Sequence, residues 1–236
     1  MSDDMNGLRR IEKLRQLNTA NGEWVNRDVY RLLLKEDVLI AAYETIKSKA
    51  GNMTPGSNGK TLDGTSLASL RRTIERLKDE SFQFSPSRRV DIPKRNGKTR
   101  PLGIAPPNEK IVQKAIEMIL TAIYEPSFSE SSHGFRPERG CHTALKQVMT
   151  WSNVKWIVEG DIKGFFDAIS HKKLIDILRK KIIDERFINL IWKSLRAGYV
   201  TFDGSISGAN KKGTFHNSLK GTPQGSIVTP LTILHN

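Results

Sequence analysis

The sequence predicts an α+β fold in which helices and strands mix without strict alternation. Three observations lead there. Apolar residues recur at helical spacing over several stretches, they alternate with polar residues over others, and clusters of Gly, Pro, Asn and Ser punctuate the intervals. The chain has 236 residues, of which 37% are hydrophobic and 27% charged, enough for a packed core in one large domain or two small ones.

Taken in order, residues 27–49 read as a helix capped by Asp28, with Leu32, Leu39, Ala42, Tyr43 and Ile46 near helical spacing. The run from Gly51 to Gly59 breaks regular structure. A second helix is expected at about 66–80, with Leu67, Leu70, Ile74 and Leu77 on one face. Phe82 and Phe84 follow in a short extended segment ended by Pro86. Residues 88–104 read as a hairpin: Val90 and Ile92 alternate with Arg89 and Asp91, Asn96-Gly97 is a turn signal, and Pro93 sets the strand at an edge or bulge.

Asn108 is expected to cap a helix at 109–124, and a Ser- and Gly-rich loop (127–137) leads to another at about 138–151, with Cys141 a buried residue at its start. Residues 154–162 read as a strand with Val154, Trp156, Val158, Gly160 and Ile162 on one face, and Trp151 and Trp156 as core. Helices follow at about 171–182, capped by Ser170, and at 185–197, capped by Asp184 and ended by Gly198. Residues 199–219 suggest a hairpin or extended loop.

Composition excludes several classes of function. No apolar run approaches the ~18 residues that cross a membrane. The N-terminal segment lacks the apolar stretch of a secretion signal, and its early Asp3 and Asp4 do not suit a transit peptide. The single Cys141 rules out an internal disulfide framework and multi-cysteine zinc sites, and the histidines show no metal-ligand spacing. The net charge of +13 is unevenly spread. Residues 86–114 carry a net +6 and residues 171–236 a net +7, and between them residues 115–170 carry −2. Basic walls around an acidic centre suit an anionic polymer, although a solvated basic surface has the same composition.

The densest chemistry lies in Glu159-Gly160-Asp161-Ile162-Lys163-Gly164-Phe165-Phe166-Asp167. A strand delivering Asp161 to its end calls for a cation there: a divalent metal with substrate phosphates, or simply a lysine. Backbone N–H groups at Gly164 and Phe165 are candidate holders of phosphate oxygens.

These segments resemble a group II intron-encoded reverse transcriptase (maturase), particularly of the mitochondrial-like branch. The resemblance rests on seven pieces in family order: Gly51 to Gly56; Phe82-Gln83-Phe84; Arg88 to Ile104; Ser132-His133-Gly134-Phe135-Arg136-Pro137; Cys141-His142-Thr143-Ala144-Leu145; the Asp161 segment; and Gly221-Thr222-Pro223-Gln224-Gly225. It implies the fingers and an incomplete palm of a right-hand polymerase over 86–236, preceded by a helical N-terminal extension over 1–85.

The resemblance also implies site residues. Asp161 is then the first metal-binding aspartate, holding Mg²⁺. Phe166 is the steric gate under the sugar, Lys94 and Arg100 clamp the triphosphate, and Gln224 lines the nucleotide pocket beside Gly164 and Phe165. Plainer roles stand beside these: edge-strand cations, a core ring, a turn residue. His133 is expected to organise its loop or touch a template backbone.

The family's second palm strand bears Tyr-x-Asp-Asp, and this chain has no such segment, its only Asp-Asp being Asp3-Asp4. The resemblance therefore implies a truncated or split reading frame, inactive alone as a polymerase and possible to complete with a second chain carrying the rest of the palm and thumb. A non-catalytic splicing cofactor binding intron RNA is the alternative. The implied partners are group II intron RNA and, for polymerisation, an RNA template, a DNA primer and dNTP. No membrane is among them. The implied location is the mitochondrion, with the plastid or the bacterial cytoplasm as alternatives. A shared clamp requires Lys94 and Arg100 on one face of the hairpin, which predicts a three-residue Asn96-Gly97-Lys98 loop pairing Lys94 with Arg100, or a bulge with the same effect.

Overall fold

The computed structural model describes residues 6–49, 51–93, 97–202 and 213–222. It contains eight α-helices and one small mixed sheet among the described residues. The helices are α1 (Gly7–Ala20), α2 (Glu36–Lys47), α3 (Leu67–Lys78), α4 (Pro107–Tyr124), α5 (Cys141–Met149), α6 (Phe165–Ala168), α7 (His171–Lys181) and α8 (Glu185–Arg196). The strands are β1 (Ser87–Pro93), β2 (Thr99–Ile104), β3 (Tyr199–Thr201) and β4 (Thr214–His216), in the order β2-β1-β3-β4. β1 pairs antiparallel with β2 and parallel with β3, and β3 pairs antiparallel with β4.

The core is organised around α4. Its Ile111, Val112, Ala115, Ile116, Ile119, Leu120 and Ile123 are all buried, so the helix is apolar on most of its circumference and must be surrounded. α1 and α2 pack on it, and one continuous core joins Leu33, Leu39, Leu70 and Leu77 to Leu174, Leu178, Phe187 and Ile191 of α7 and α8. Tyr124 and Tyr30 are buried within it. Tyr30 donates its hydroxyl to the Leu77 carbonyl at 2.7 Å, and burial raises its pKa to about 12.

The helices at 171–181 and 185–196 start at the predicted caps. The Ser170 hydroxyl accepts the Lys173 N–H, and the Asp184 carboxylate accepts those of Arg186 and Phe187. The expected continuous helix at 27–49 is instead a 3-10 turn (Val29–Leu34) followed by α2. Asp28 makes no cap there. It sits in the left-handed region at φ 52°, and the Tyr30 N–H goes to Asp184 at 2.8 Å, a partner that local sequence does not reveal.

α4 begins at Pro107, ahead of the expected Asn108 cap, because proline tolerates the first helical turn. Asn108 accepts a hydrogen bond from the Ser69 hydroxyl at 3.1 Å instead. α1 was not singled out in the sequence, and Asn6 caps it.

The segment 154–162 is not a strand. It runs without ladder partners and is exposed throughout, with Trp156 at 89% and Val158 at 95% exposure. A strand exists only when a neighbour takes its N–H and C=O groups, and no described segment lies alongside. Trp151 and Trp156 are accordingly exposed rather than core, and Cys141 starts α5 but is exposed, since no residue of that helix is buried.

The hairpin forms where expected, in a wider register. Ile92 pairs with Arg100 and Pro93 with Thr99, leaving 94–98 as the connection in place of a three-residue loop. Thr99 thus lies opposite Pro93 rather than the expected Arg95. Gly97 adopts φ +74°, the left-handed conformation expected at the tip. Lys94 lies outside the described residues.

Candidate nucleotide and nucleic-acid site

The turn after Asp161 is built on Gly164, which takes φ 64° and opens the single turn of α6. Its carbonyl accepts the N–H groups of Asp167 and Ala168 at 3.0 and 3.1 Å. The Phe165 N–H is already committed to the Ile162 carbonyl at 3.3 Å, so of the two amides expected to face phosphate only that of Gly164 has no backbone partner among the described residues. Phe165 packs against the core and meets Phe166 edge-on at 5.9 Å. Phe166 itself is half-buried.

The structure brings this turn onto the segment leading into Pro223-Gln224-Gly225. The Thr222 N–H donates to the Phe166 carbonyl and the Gly221 N–H to the Ile169 carbonyl, both at 2.8 Å. Gly221 has φ +78°, and a Cβ there would lie 2.9 Å from the Phe166 carbonyl oxygen and 3.0 Å from Asp167 backbone atoms, so glycine is required on two counts. Gln224 lies outside the described residues.

Asp161 is exposed and makes no ion pair among the described residues. The described residues hold no group of three or more His, Cys, Asp or Glu side chains suited to a metal ion. A lone exposed carboxylate does not fit a two-ion centre, and the donor set is incomplete within these residues.

The two faces of the hairpin carry different chemistry. Arg100 shares a face with Ile92 and Leu102, and the alternation places Arg88 and Val90 there too. Arg88 is half-buried with its Nε unpartnered, and burial lowers its pKa. Lys110, on the first turns of α4, is lowered by its own burial and then by the charge of Arg88. Two partly desolvated cations that repel one another make this face a candidate seat for an anion.

The opposite face lines a cavity of about 360 Å³ with Arg89, Pro101 and Gly103, closed by Tyr199, Asp167 and Thr222. There the Arg89 guanidinium lies 4.7 Å over the Tyr199 ring, which stacks on His216 at 4.7 Å and 14°. Sequence reasoning did not single out Lys110, Tyr199 or His216. The alternation of Arg88 and Arg89 was the one available signal that cations serve both faces.

His133 organises its loop as expected, bridging Thr143 at 2.9 Å and Gln147 at 2.5 Å. The buried Arg136 of the same motif binds the Ser129 and Ser132 carbonyls and pairs with Glu125 at 2.9 Å, so the motif is a scaffold for the loop. A polar groove of about 720 Å³ runs between the 58–66 loop and α3, lined by Lys60, Arg72, Arg76 and Asn108.

Comparison with known proteins agrees with this chemistry. Residues 92–234 match the family model described as reverse transcriptase (RNA-dependent DNA polymerase). The chain is 45% identical over 209 residues to the "Uncharacterized 91 kDa protein in cob intron" of Schizosaccharomyces pombe, covering 88% of this chain and 25% of that protein. It is 42% identical over 224 residues to the "Putative COX1/OXI3 intron 2 protein" of Saccharomyces cerevisiae, covering 94% and 25%. It is 41% identical over 223 residues to the "Group II intron-encoded protein LtrA" of Lactococcus lactis subsp. cremoris, covering 94% and 36%. The chain thus spans about a quarter to a third of the length of these relatives. With more than half of its residues inside the matched region, the chain belongs to the reverse transcriptase family.

Proposed function

We propose that this chain forms the fingers and part of the palm of a group II intron-encoded reverse transcriptase, with an N-terminal helical extension over 1–85, and that it does not synthesise DNA alone. The observation that carries this reading is the docking of the Gly164–Phe166 turn on Gly221-Thr222. It brings the expected sugar gate beside the chain that enters the Pro-Gln-Gly turn. In this reading Phe166 excludes a 2′-OH, Lys94 and Arg100 neutralise the triphosphate, and Gln224 borders the base. Asp161 contributes one carboxylate, and no step is assigned to the Mg²⁺ that the family resemblance implies, because its donor set is incomplete here.

The exposed 154–162 segment supports a second component. Val154, Trp156, Val158 and Ile162 are exposed on a segment whose backbone is unpaired among the described residues, which suits a strand-bearing partner carrying the remaining palm and thumb. Primer extension on an RNA template tests the reading. The chain alone is expected to give no product, and the chain with a separately expressed downstream Tyr-x-Asp-Asp piece of a relative is expected to give product that Asp161→Ala abolishes. Robust extension by the chain alone, or extension indifferent to Asp161→Ala, overturns it.

A non-catalytic role in binding intron RNA is favoured by a different observation, the Arg88–Lys110 anion seat. RNA binding without reconstituted extension supports that alternative. A mitochondrial, organelle-encoded location follows from the resemblance, and the bacterial LtrA relative supplies the alternative. No helix among the described residues is long and apolar enough to cross a membrane.

A further inference from the structure

We propose that His171 is a positioning residue, latching Gly221-Thr222, which leads into Pro223-Gln224-Gly225, onto the turn that carries Phe166. The functional meaning of the latch rests on the reading above. Its existence rests on geometry alone. His171 is 3% exposed and its Nε2 lies 2.6 Å from the Gly221 carbonyl oxygen. A carbonyl only accepts, so the proton sits on Nε2. Nδ1 is buried and has no hydrogen-bond partner among the described residues, and the ring meets Trp192 edge-on at 6.1 Å. A side chain serving only to fill this apolar site would be better as Leu or Phe, which leave no nitrogen orphaned. The bond to Gly221 is what histidine adds.

Three hydrogen bonds hold 166–171 to 221–222, and two of them are backbone to backbone, available to any sequence in that register. The third is the only one that a side chain supplies. It comes from the first residue of α7, a helix capped by Ser170 and anchored in the core by Leu174, Ile175 and Leu178. His171 therefore ties Gly221 to a rigid body and helps fix Gly221 and Thr222 relative to Phe166. Without it, the left-handed Gly221 is held by its neighbours' backbone alone.

Amide hydrogen exchange on the whole chain, read by NMR, tests the latch in wild type, His171→Phe and His171→Gln. The Phe variant keeps the ring volume and loses the donor. The Gln variant places an amide N–H within reach of the same carbonyl. His171→Phe is expected to speed exchange of the Gly221 and Thr222 amides at least tenfold while α4 amides such as those of Ile116 and Ile119 change less than twofold. His171→Gln is expected to restore protection. Unchanged Gly221 and Thr222 amides, equal acceleration in α4, or no rescue by Gln each overturns the proposal. In wild type, a long-range ¹H–¹⁵N spectrum is expected to show the Nε2–H tautomer of His171, and the Nδ1–H tautomer would overturn it without any variant. Neither measurement involves DNA synthesis, so failure of the latch and failure of the polymerase reading are separate results.

Discussion

At the scale of single residues, Asp184 and Gly221 show how much of a side chain's work local sequence hides. Asp184 is readable as a helix cap from its position before Glu185. Its second task, accepting the Tyr30 N–H across 154 residues of chain, is not. That second bond satisfies, from outside, the Tyr30 amide in the first turn of the Val29–Leu34 3-10 segment. Asp184→Ala removes the cap, worth about 1 kcal/mol, and orphans a buried amide, worth about 1–3 kcal/mol. A total loss of about 2–4 kcal/mol is expected in urea unfolding, and Asp184→Asn, which keeps an acceptor oxygen, should lose less than half of that. Equal losses in the two variants would show that the carboxylate charge, and not its acceptor geometry, stabilises the junction. Gly221 was legible only as part of a motif. That the backbone there takes φ +78° against Phe166 is a tertiary fact.

At the scale of elements, what the sequence made legible divides by where the hydrogen bonds go. α7 and α8 satisfy their own backbones and carry their own caps, so Ser170, Asp184 and Gly198 located them to within a residue. The β1–β2 hairpin is also local, and only its register differs from expectation, with Pro93 rather than Arg95 opposite Thr99. The segment 154–162 has strand periodicity in full and no partner among the described residues, and a strand is a property of a pair. Its apolar side chains therefore contribute little to the stability of the fold described here. Trp156→Ser, at a site 89% exposed, is expected to change unfolding free energy by no more than about 0.5 kcal/mol. Ile119→Ala, fully buried in α4, is expected to cost about 2–5 kcal/mol. A loss above about 1 kcal/mol for Trp156→Ser would mean that the segment packs against something in the isolated chain.

At the scale of the whole molecule, the charge distribution acquires a location. The composition showed a net +6 over residues 86–114, and the fold concentrates part of it where β1 meets the start of α4, setting Arg88 against Lys110 on the face that also bears Arg100. Burial makes each a poorer cation than it would be in water, and the two repel, so the arrangement costs stability unless an anion relieves it. A phosphodiester would do so, and its capture would release condensed counterions. The logarithm of RNA affinity should therefore fall linearly with the logarithm of salt concentration, by about 0.7–0.9 per phosphate neutralised. Arg88→Ala is expected to weaken RNA binding and to shrink that slope by roughly one, because one phosphate contact is lost whatever the RNA sequence. Lys47→Ala is the control. Lys47 is exposed on α2, already paired with Glu44, and outside both basic segments, so its removal should leave the slope unchanged. Filter-binding titrations between 50 and 300 mM salt, concentrations chosen to span roughly two decades or more of affinity, separate the cases. A slope that Arg88→Ala leaves intact would assign the anion seat to internal structure and move the RNA surface elsewhere, with the polar groove of Lys60, Arg72 and Arg76 the next place to look.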